Sequence, residues 1–268
     1  MLYQHYPNIA LQCSAAFAEI SVNKDFSVML KPSHFRSSIL MAKQVISKKR
    51  VADHGEVFTS KREVDAMLDL VKQETERIDS RFLEPACGTG NFLTEILERK
   101  LQVVERKYRK SQLEYERNIV LAVSSMYGID ILEDNVIACR QRLFDIANGK
   151  YTALFKKKTR EEVRRVIEFI LEKNIIWGDA LDLKTVGQPP HQIIFSEWSF
   201  PFNNSLLKRR DFVFAELLPN ESNKRNQPDL FSTNEHMSDL GEKVFLPTET
   251  HSYPPVHFLK VGEEKGND

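Results

Sequence analysis

Cysteine is scarce in this chain: 3 in 268 residues, at Cys13, Cys87 and Cys139. That is too few for a disulfide framework, and no two of them form the Cys-x-x-Cys pair that holds zinc. Such usage suits a reducing cytoplasm. No apolar run is long enough to cross a bilayer as a helix, so no membrane partner is expected. Neither sign of charge dominates, with 38 Lys+Arg against 38 Asp+Glu. The balance excludes a histone-like polycation and an acidic disordered chain. No internal repeat and no long low-complexity tract occurs. What is present, 41% hydrophobic residues over 268 positions, is enough to bury the core of one α/β domain.

The charge is unevenly spread. Residues 219–268 hold 9 acidic and 5 basic residues, which leaves residues 1–218 with a net charge of +4. A mild excess of this kind is compatible with a nucleic-acid partner without demanding one. Composition also divides the chain. Residues 1–40 show no sustained periodicity and read as a poorly ordered N-terminal extension. Residues 41–218 read as the main domain, and 219–268, polar and punctuated by proline, as a C-terminal tail.

Within 41–218, helical and strand patterns alternate. Val64, Met67, Leu68 and Val71 recur at three- and four-residue spacing over 59–77, behind a Thr59 or Ser60 cap. Residues 81–84 read as a short buried strand, 91–101 as a helix and 127–130 as a second strand. A helix is expected over 133–147 and a basic amphipathic helix or helix pair over 151–172. Residues 174–177 form a third strand pattern and 192–195 a fourth. This alternation argues for a mostly parallel α/β sheet with helices on both faces. Ligands of such sheets sit at the carboxyl ends of the strands.

The polar residues of interest fall at those ends. Glu84 closes the first strand, and Pro85-Ala86-Cys87-Gly88-Thr89-Gly90 turns into a helix opened by Asn91-Phe92-Leu93. Gly88 and Gly90 permit positive φ and close backbone approach. The turn amides and the helix N-terminus cradle a polar group. The turn lacks the Gly-Lys-Ser/Thr ending of a triphosphate loop and the third glycine of the dinucleotide fingerprint. A cationic or zwitterionic nucleoside therefore fits better than a pyrophosphate. Asp130, ending the second strand, suits the two hydroxyls of a ribose. Asp179, after the third strand in Trp177-Gly178-Asp179-Ala180-Leu181, suits the exocyclic amine of an adenine.

The run from Glu84 to Leu93 resembles motif I of the amino-methylating DNA methyltransferases, in the form Asp-Pro-Ala-Cys-Gly-Ser-Gly-x-Phe-Leu. That form is typical of modification subunits of restriction–modification systems acting on the N6 of adenine. Gly55-Glu56-Val57-Phe58-Thr59-Ser60 resembles the Gly-Gln-x-Phe-Thr-Pro segment that precedes motif I, with Ser60 in place of the proline. The resemblance covers residues 55–200. It implies a Rossmann-like, S-adenosylmethionine-dependent methyltransferase fold and DNA as the partner. Phe58 and Thr59 would then line the methionine end, and Glu84, Gly88 and Gly90 would hold its amino and carboxylate groups. Asp130 would take the ribose, and Asp179 with Ala180 the adenine. No metal is implied.

The resemblance departs at the family's catalytic segment, a polar residue followed by Pro-Pro and an aromatic residue directly after the fourth strand. That segment accepts hydrogen bonds from the target amine and stacks on the flipped base. Here the strand runs into Ser196-Glu197-Trp198-Ser199-Phe200. Ser196 stands where the polar acceptor stands, and Trp198 or Phe200 where the ring stands. Glu197 offers a carboxylate in place of the usual amide. A catalytically inactive cofactor- or DNA-binding subunit is the alternative that this departure keeps open. Three basic clusters offer DNA-backbone contacts: Lys48-Lys49-Arg50, Lys156-Lys157-Lys158 with Arg160, Arg164 and Arg165, and Lys208-Arg209-Arg210. No separate target-recognition domain is visible, so sequence specificity would come from a partner specificity or restriction subunit.

Overall fold

The computed structural model describes residues 50, 59–202, 204–218, 235–237, 243–245 and 249–263. The 1–40 extension and Phe58 lie outside the described residues. The first helix, α1 (Lys61–Leu70), opens on a reciprocal cap: the Ser60 backbone N–H donates to the Glu63 carboxylate at 3.0 Å, and the Ser60 side chain partners the third helical residue. Val64 and Leu68 are its buried face. The pattern read over 59–77 breaks at Val71, after which a single turn, α2 (Lys72–Thr75), completes it.

Strand β1 (Phe82–Glu84) is followed by α3 (Asn91–Tyr108) and α4 (Gln112–Ser124), then by β2 (Met126–Asp130). Arg109 and Lys110 separate the two helices, and the Ser111 side chain caps the second by accepting from the Glu114 amide. Next come α5 (Glu133–Phe155), a 3-10 turn at Lys156–Lys158, α6 (Glu161–Asn174) and β3 (Ile175–Asp179). Two strands, β4 (Lys184–Thr185) and β5 (Ile194–Ser199), lead to β6 (Leu206–Val213) and the one-turn α7 (Phe214–Leu217). Later strands are β7 (Glu235–Met237) and β8 (Lys243–Phe245), paired antiparallel with each other, and β9 (His251–Ser252) and β10 (Val256–His257).

The main sheet has the order β1-β2-β3-β4. The first three strands are parallel, with Glu84 beside Gly128 and Asp130 beside Trp177; β4 is antiparallel. Parallel neighbours need crossover helices, and α3–α4 and α5–α6 supply them as two helical hairpins. The alternation along β2 shows what covers each face. Met126 turns toward the helices, where Leu93, Leu97, Ile119, Cys139 and Leu143 are buried. Tyr127 and Ile129 turn the other way, onto Ile193, Phe195 and Phe214.

That second face departs from the expected helical layer. It is covered by β5 and the short α7: the Tyr127 and Phe195 rings meet edge-on at 5.3 Å, and Phe195 meets Phe214 at the same distance. The fourth strand is also displaced and redirected. It spans Ile194–Ser199 and pairs antiparallel with β6 in a second sheet, where β9 and β10 also join β6.

Residues 249–263, read from sequence as tail, thus return to the domain. Phe258 is fully buried and meets Phe200 edge-on at 6.3 Å. The apolar stretch Val256–Val261 is too short and too close to prolines to announce a strand by periodicity, so only the long-range pairing reveals it. Among the described residues no helix is long and apolar enough to cross a membrane.

Candidate functional site

Three carboxylates lie at the carboxyl ends of three adjacent parallel strands: Glu84, Asp130 and Asp179. The glycine turn is pinned beneath them. The Cys87 amide donates to the Ile129 carbonyl at 2.9 Å, and the Gly88 amide donates to Asp130 Oδ2 at 2.8 Å. Gly88 and Gly90 both have positive φ, 52° and 85°. Gly90 is constrained a second way, because a Cβ there would sit 2.6 Å from Cys139 Sγ. The turn thus packs so closely on α5 that glycine is required for both reasons.

Gly90→Ala therefore couples left-handed strain, roughly 1–2 kcal/mol, to overpacking, and is expected to destabilise the fold by about 2–3 kcal/mol. Gly149→Ala makes the control. It lies within α5 with nothing within 4 Å of its added Cβ, and is expected to stabilise by about 0.5–1 kcal/mol. Urea midpoints of the two variants should move in opposite directions; midpoints moving together would refute the packing argument.

Each carboxylate has a distinct state. Glu84 is partly buried, and burial pushes its carboxyl up to about 7, against a smaller lowering from the Ala86 backbone N–H. Asp130 is 8% exposed. Its Oδ1 accepts from the Leu132 amide at 2.9 Å and from Asn135 Nδ2 at 3.2 Å, while Oδ2 holds Gly88. A carboxylate offers about four acceptor sites, so one remains, on Oδ2. Asp179 folds its own turn through Oδ1, which accepts from the Leu181 and Asp182 amides at 2.8 and 3.3 Å. Its Oδ2 has no partner among the described residues and is the open acceptor. Ala180 beside it packs partly buried against the Tyr127–Ile129 cluster.

Several supporting residues escaped the sequence reading. Arg142, on α5, donates to the Thr89 carbonyl at 2.6 Å, to Thr89 Oγ1 at 3.0 Å and to Asn91 Oδ1 at 2.9 Å. Asn91 Nδ2 in turn donates to the Thr59 carbonyl at 3.2 Å, tying the segment before α1 to the glycine turn. Arg50, named from sequence only as part of a DNA-backbone cluster with Lys48 and Lys49 (both outside the described residues), reaches Asp134 at 2.5 Å and Asn135 at 3.2 Å. These contacts join segments 32 to 85 residues apart, and no local pattern announces them.

Ser196, Glu197 and Trp198 are all buried in β5. Ser196 Oγ donates to Asp211 Oδ1 at 2.7 Å, and Glu197 is paired with Arg81 and Arg210. The Trp198 indole N–H donates to Asn174 Oδ1 at 3.1 Å. Asn174 precedes β3 at its amino end, whereas the Ile193 side chain lies against Gly178 near the carboxyl end. The chain therefore descends across the sheet from Ile193 to Trp198. Trp198 stands at the opposite end from Asp179, where the sequence reading expects its ring beside the carboxylates. Ile193 packed on Gly178 and Trp198 bonded to Asn174 fix that direction.

No curated protein and no solved structure matches the chain. Residues 58–193 match the family model described as MmeI, DNA-methyltransferase domain, a span of half the chain that contains the glycine turn and all three strand-end carboxylates. The chain therefore belongs to the MmeI DNA-methyltransferase-domain family, whose name ties it to DNA methylation in restriction–modification.

Proposed function

We propose that this chain is an S-adenosylmethionine-dependent DNA methyltransferase that modifies the N6 of adenine, acting as the modification subunit of a restriction–modification system with a Rossmann-like fold. The observation that carries the reading is the row of Glu84, Asp130 and Asp179 at adjacent strand ends, above a glycine turn that Asp130 itself holds.

The donor set suits the cofactor. A zwitterionic amino-acid end matches the Glu84 carboxylate, the close backbone approach that Gly88 and Gly90 allow (their own amides go to Asp130 and the Cys87 carbonyl) and the N-terminus of α3, with Phe58 and Thr59 beside it. The remaining Oδ2 site of Asp130 accepts one ribose hydroxyl, and the open Oδ2 of Asp179, with Ala180, meets the adenine. When bound, the cofactor supplies an electrophilic methyl group on a sulfonium. The chain's own part is to hold that methyl in line with the target nitrogen and to keep water away from it. No metal is needed. On the acceptor side, Ser196, with Glu197 and Trp198 as its neighbours, accepts from the target amine only if β5 is repositioned, because as folded it is buried, bonded to Asp211 and on a strand that leaves the carboxylate edge.

A second reading, a catalytically inactive subunit that binds cofactor or DNA, is favoured by one observation. Ser196, Glu197 and Trp198 already direct their polar atoms to Asp211, Arg81, Arg210 and Asn174 within the chain. A labelled methyl-transfer assay separates the two. Full-length protein is incubated with labelled cofactor and mixed-sequence DNA, with and without the neighbouring gene's product. The DNA is then digested to nucleosides. Label on N6-methyladenine that disappears in Ser196→Ala supports the enzyme. Calorimetric cofactor binding with no label in any arm supports the inactive subunit. A folded protein that binds neither cofactor nor DNA overturns both, and one that binds DNA alone overturns the enzyme.

A further inference from the structure

The two helical hairpins end in turns that meet far from the carboxylates. Both α3 and α5 start at the carboxyl edge, at Asn91 and Glu133. With 23 residues at 1.5 Å each, α5 carries its last turn about 34 Å away from that edge. There the turn after α5 meets the start of α4: Gln112 Nε2 donates to the Lys158 carbonyl at 2.7 Å and lies 3.4 Å from the Tyr151 hydroxyl. The Arg160 amide donates to that same hydroxyl at 3.0 Å. Beneath them Tyr115, Tyr151 and Phe155 pack with ring centroids 5.2–6.3 Å apart. The tip is thus held on both sides by side-chain-to-backbone bonds over an aromatic floor.

Its charge is one-sided. Residues 106–113 and 153–158 together contain seven cations and no carboxylate, in a chain whose formal net charge is zero. Lys107, Arg109, Lys110, Lys156, Lys157 and Lys158 are all exposed, and none is paired with a carboxylate among the described residues. The flanking surface behaves differently. Arg160 reaches Glu116, Arg164 pairs with Glu161, and Arg117 pairs with Glu114. Neutralisation stops where the tip begins. Protein-binding surfaces centre on buried apolar or aromatic anchors. Here Leu113 is the one large hydrophobic side chain exposed at the tip among the described residues. Clustered point charges without an anchor fit a regular polyanion, and the family acts on DNA.

We propose that this basic tip grips the phosphate backbone of duplex DNA at a place separate from the carboxylate edge, giving the protein a sequence-independent hold on DNA that needs neither cofactor nor target base. The inference adds to the proposed function and is tested apart from it.

The experiment uses the full chain without cofactor and a labelled mixed-sequence duplex of about 30 base pairs, followed by fluorescence anisotropy over a salt series. Lys156 has φ 51°, a conformation that glycine adopts without strain, so Lys156→Gly removes its charge and leaves the turn intact. The triple variant Lys156→Gly, Lys157→Gln, Lys158→Gln is expected to lose at least tenfold in DNA affinity. Its log–log salt slope should shrink by roughly two to three, at about 0.9 per lost phosphate contact. A second variant on the other turn, Lys107→Gln with Lys110→Gln, should show the same direction should the first fold poorly. Asp179→Asn, at the carboxylate edge, should bind DNA like the wild type. Calorimetric cofactor affinity should be unchanged in the tip variants, so failure of the cofactor reading is scored separately. Folded tip variants that bind DNA as tightly and as steeply in salt as the wild type overturn the proposal, as does loss of all DNA binding in Asp179→Asn.

Discussion

Glu84→Gln is expected to make the protein more stable at pH 8 while weakening its hold on the proposed cofactor, S-adenosylmethionine. The sign follows from burial. An ordinary glutamate titrates at 4.5, and in the folded chain Glu84 is pushed up to about 7. Between those values the folded state carries a proton that the unfolded state has lost. Stability therefore falls as pH rises from about 4.5 to about 7 and is level above that. The full penalty is about 3 kcal/mol at 1.36 kcal/mol per unit. Glutamine keeps an oxygen for the Ala86 amide and carries no charge to desolvate. The variant should gain about 1–3 kcal/mol at pH 8 and almost nothing near pH 4 by urea denaturation.

Binding runs the opposite way. The cationic end of the cofactor favours ionised Glu84, so wild-type affinity should fall up to about tenfold per pH unit below 7. The glutamine variant should be weaker by about 1.5–3 kcal/mol at pH 8, with a flat profile below 7. Calorimetry at pH 6 and pH 8 reads both effects. Parallel pH profiles for the two proteins would remove Glu84 from the site.

Asp130→Ala is the second large effect, and there stability and binding fall together. Its carboxylate receives two backbone amides and one side-chain amide at a position that is 8% exposed. Alanine leaves all three donors unsatisfied, at about 1–3 kcal/mol for each buried group that water does not reach. A loss of about 3–5 kcal/mol is expected in denaturant titrations, because the network fails as a unit. Asp130→Asn is no rescue: one of its two terminal atoms becomes a donor, and Gly88 and Leu132 ask for acceptors at both. Cofactor affinity should drop by about 1–3 kcal/mol beyond any loss of folded protein. A folded Asp130→Ala protein with unchanged affinity would mean that the ribose is held elsewhere.

The two carboxylates show different compromises at one sheet edge. Glu84 is held against its own burial, and removing its charge relaxes the fold. Asp130 completes a turn, and removing it undoes the turn. A ligand that supplies a positive charge near Glu84 and a hydroxyl near Asp130 answers both conditions, which is why the same edge serves structure and the proposed chemistry.

Much of this edge was legible from sequence because its causes are local. Strand, carboxylate, glycine bend and helix follow one another within a dozen residues. Two positive-φ positions next to an apolar strand leave glycine little competition. Asp130 and Asp179 each accept from the backbone two residues on, the habit of aspartate at a turn, so their placement after strands was predictable from neighbours alone. The helices of the two crossovers were also visible, although their ends were not: α5 extends to Phe155, beyond the expected 147.

What only the tertiary structure decided is long-range. The direction of β5 depends on which distant residues it packs against, Ile193 on Gly178 and Trp198 on Asn174, so Trp198 arrives at the amino end of β3 rather than beside Asp179. The return of Val256–His257 to β6, the bracing of Thr89 by Arg142 and the meeting of two lysine-rich turns across Gln112 are equally invisible in any short window. Each joins residues tens of positions apart. Sequence by itself settled where the chain bends and which residues end the strands, because sterics and capping act over a few residues. The fold settled which ends face one another, because pairing and packing are chosen only when distant segments compete for the same surface.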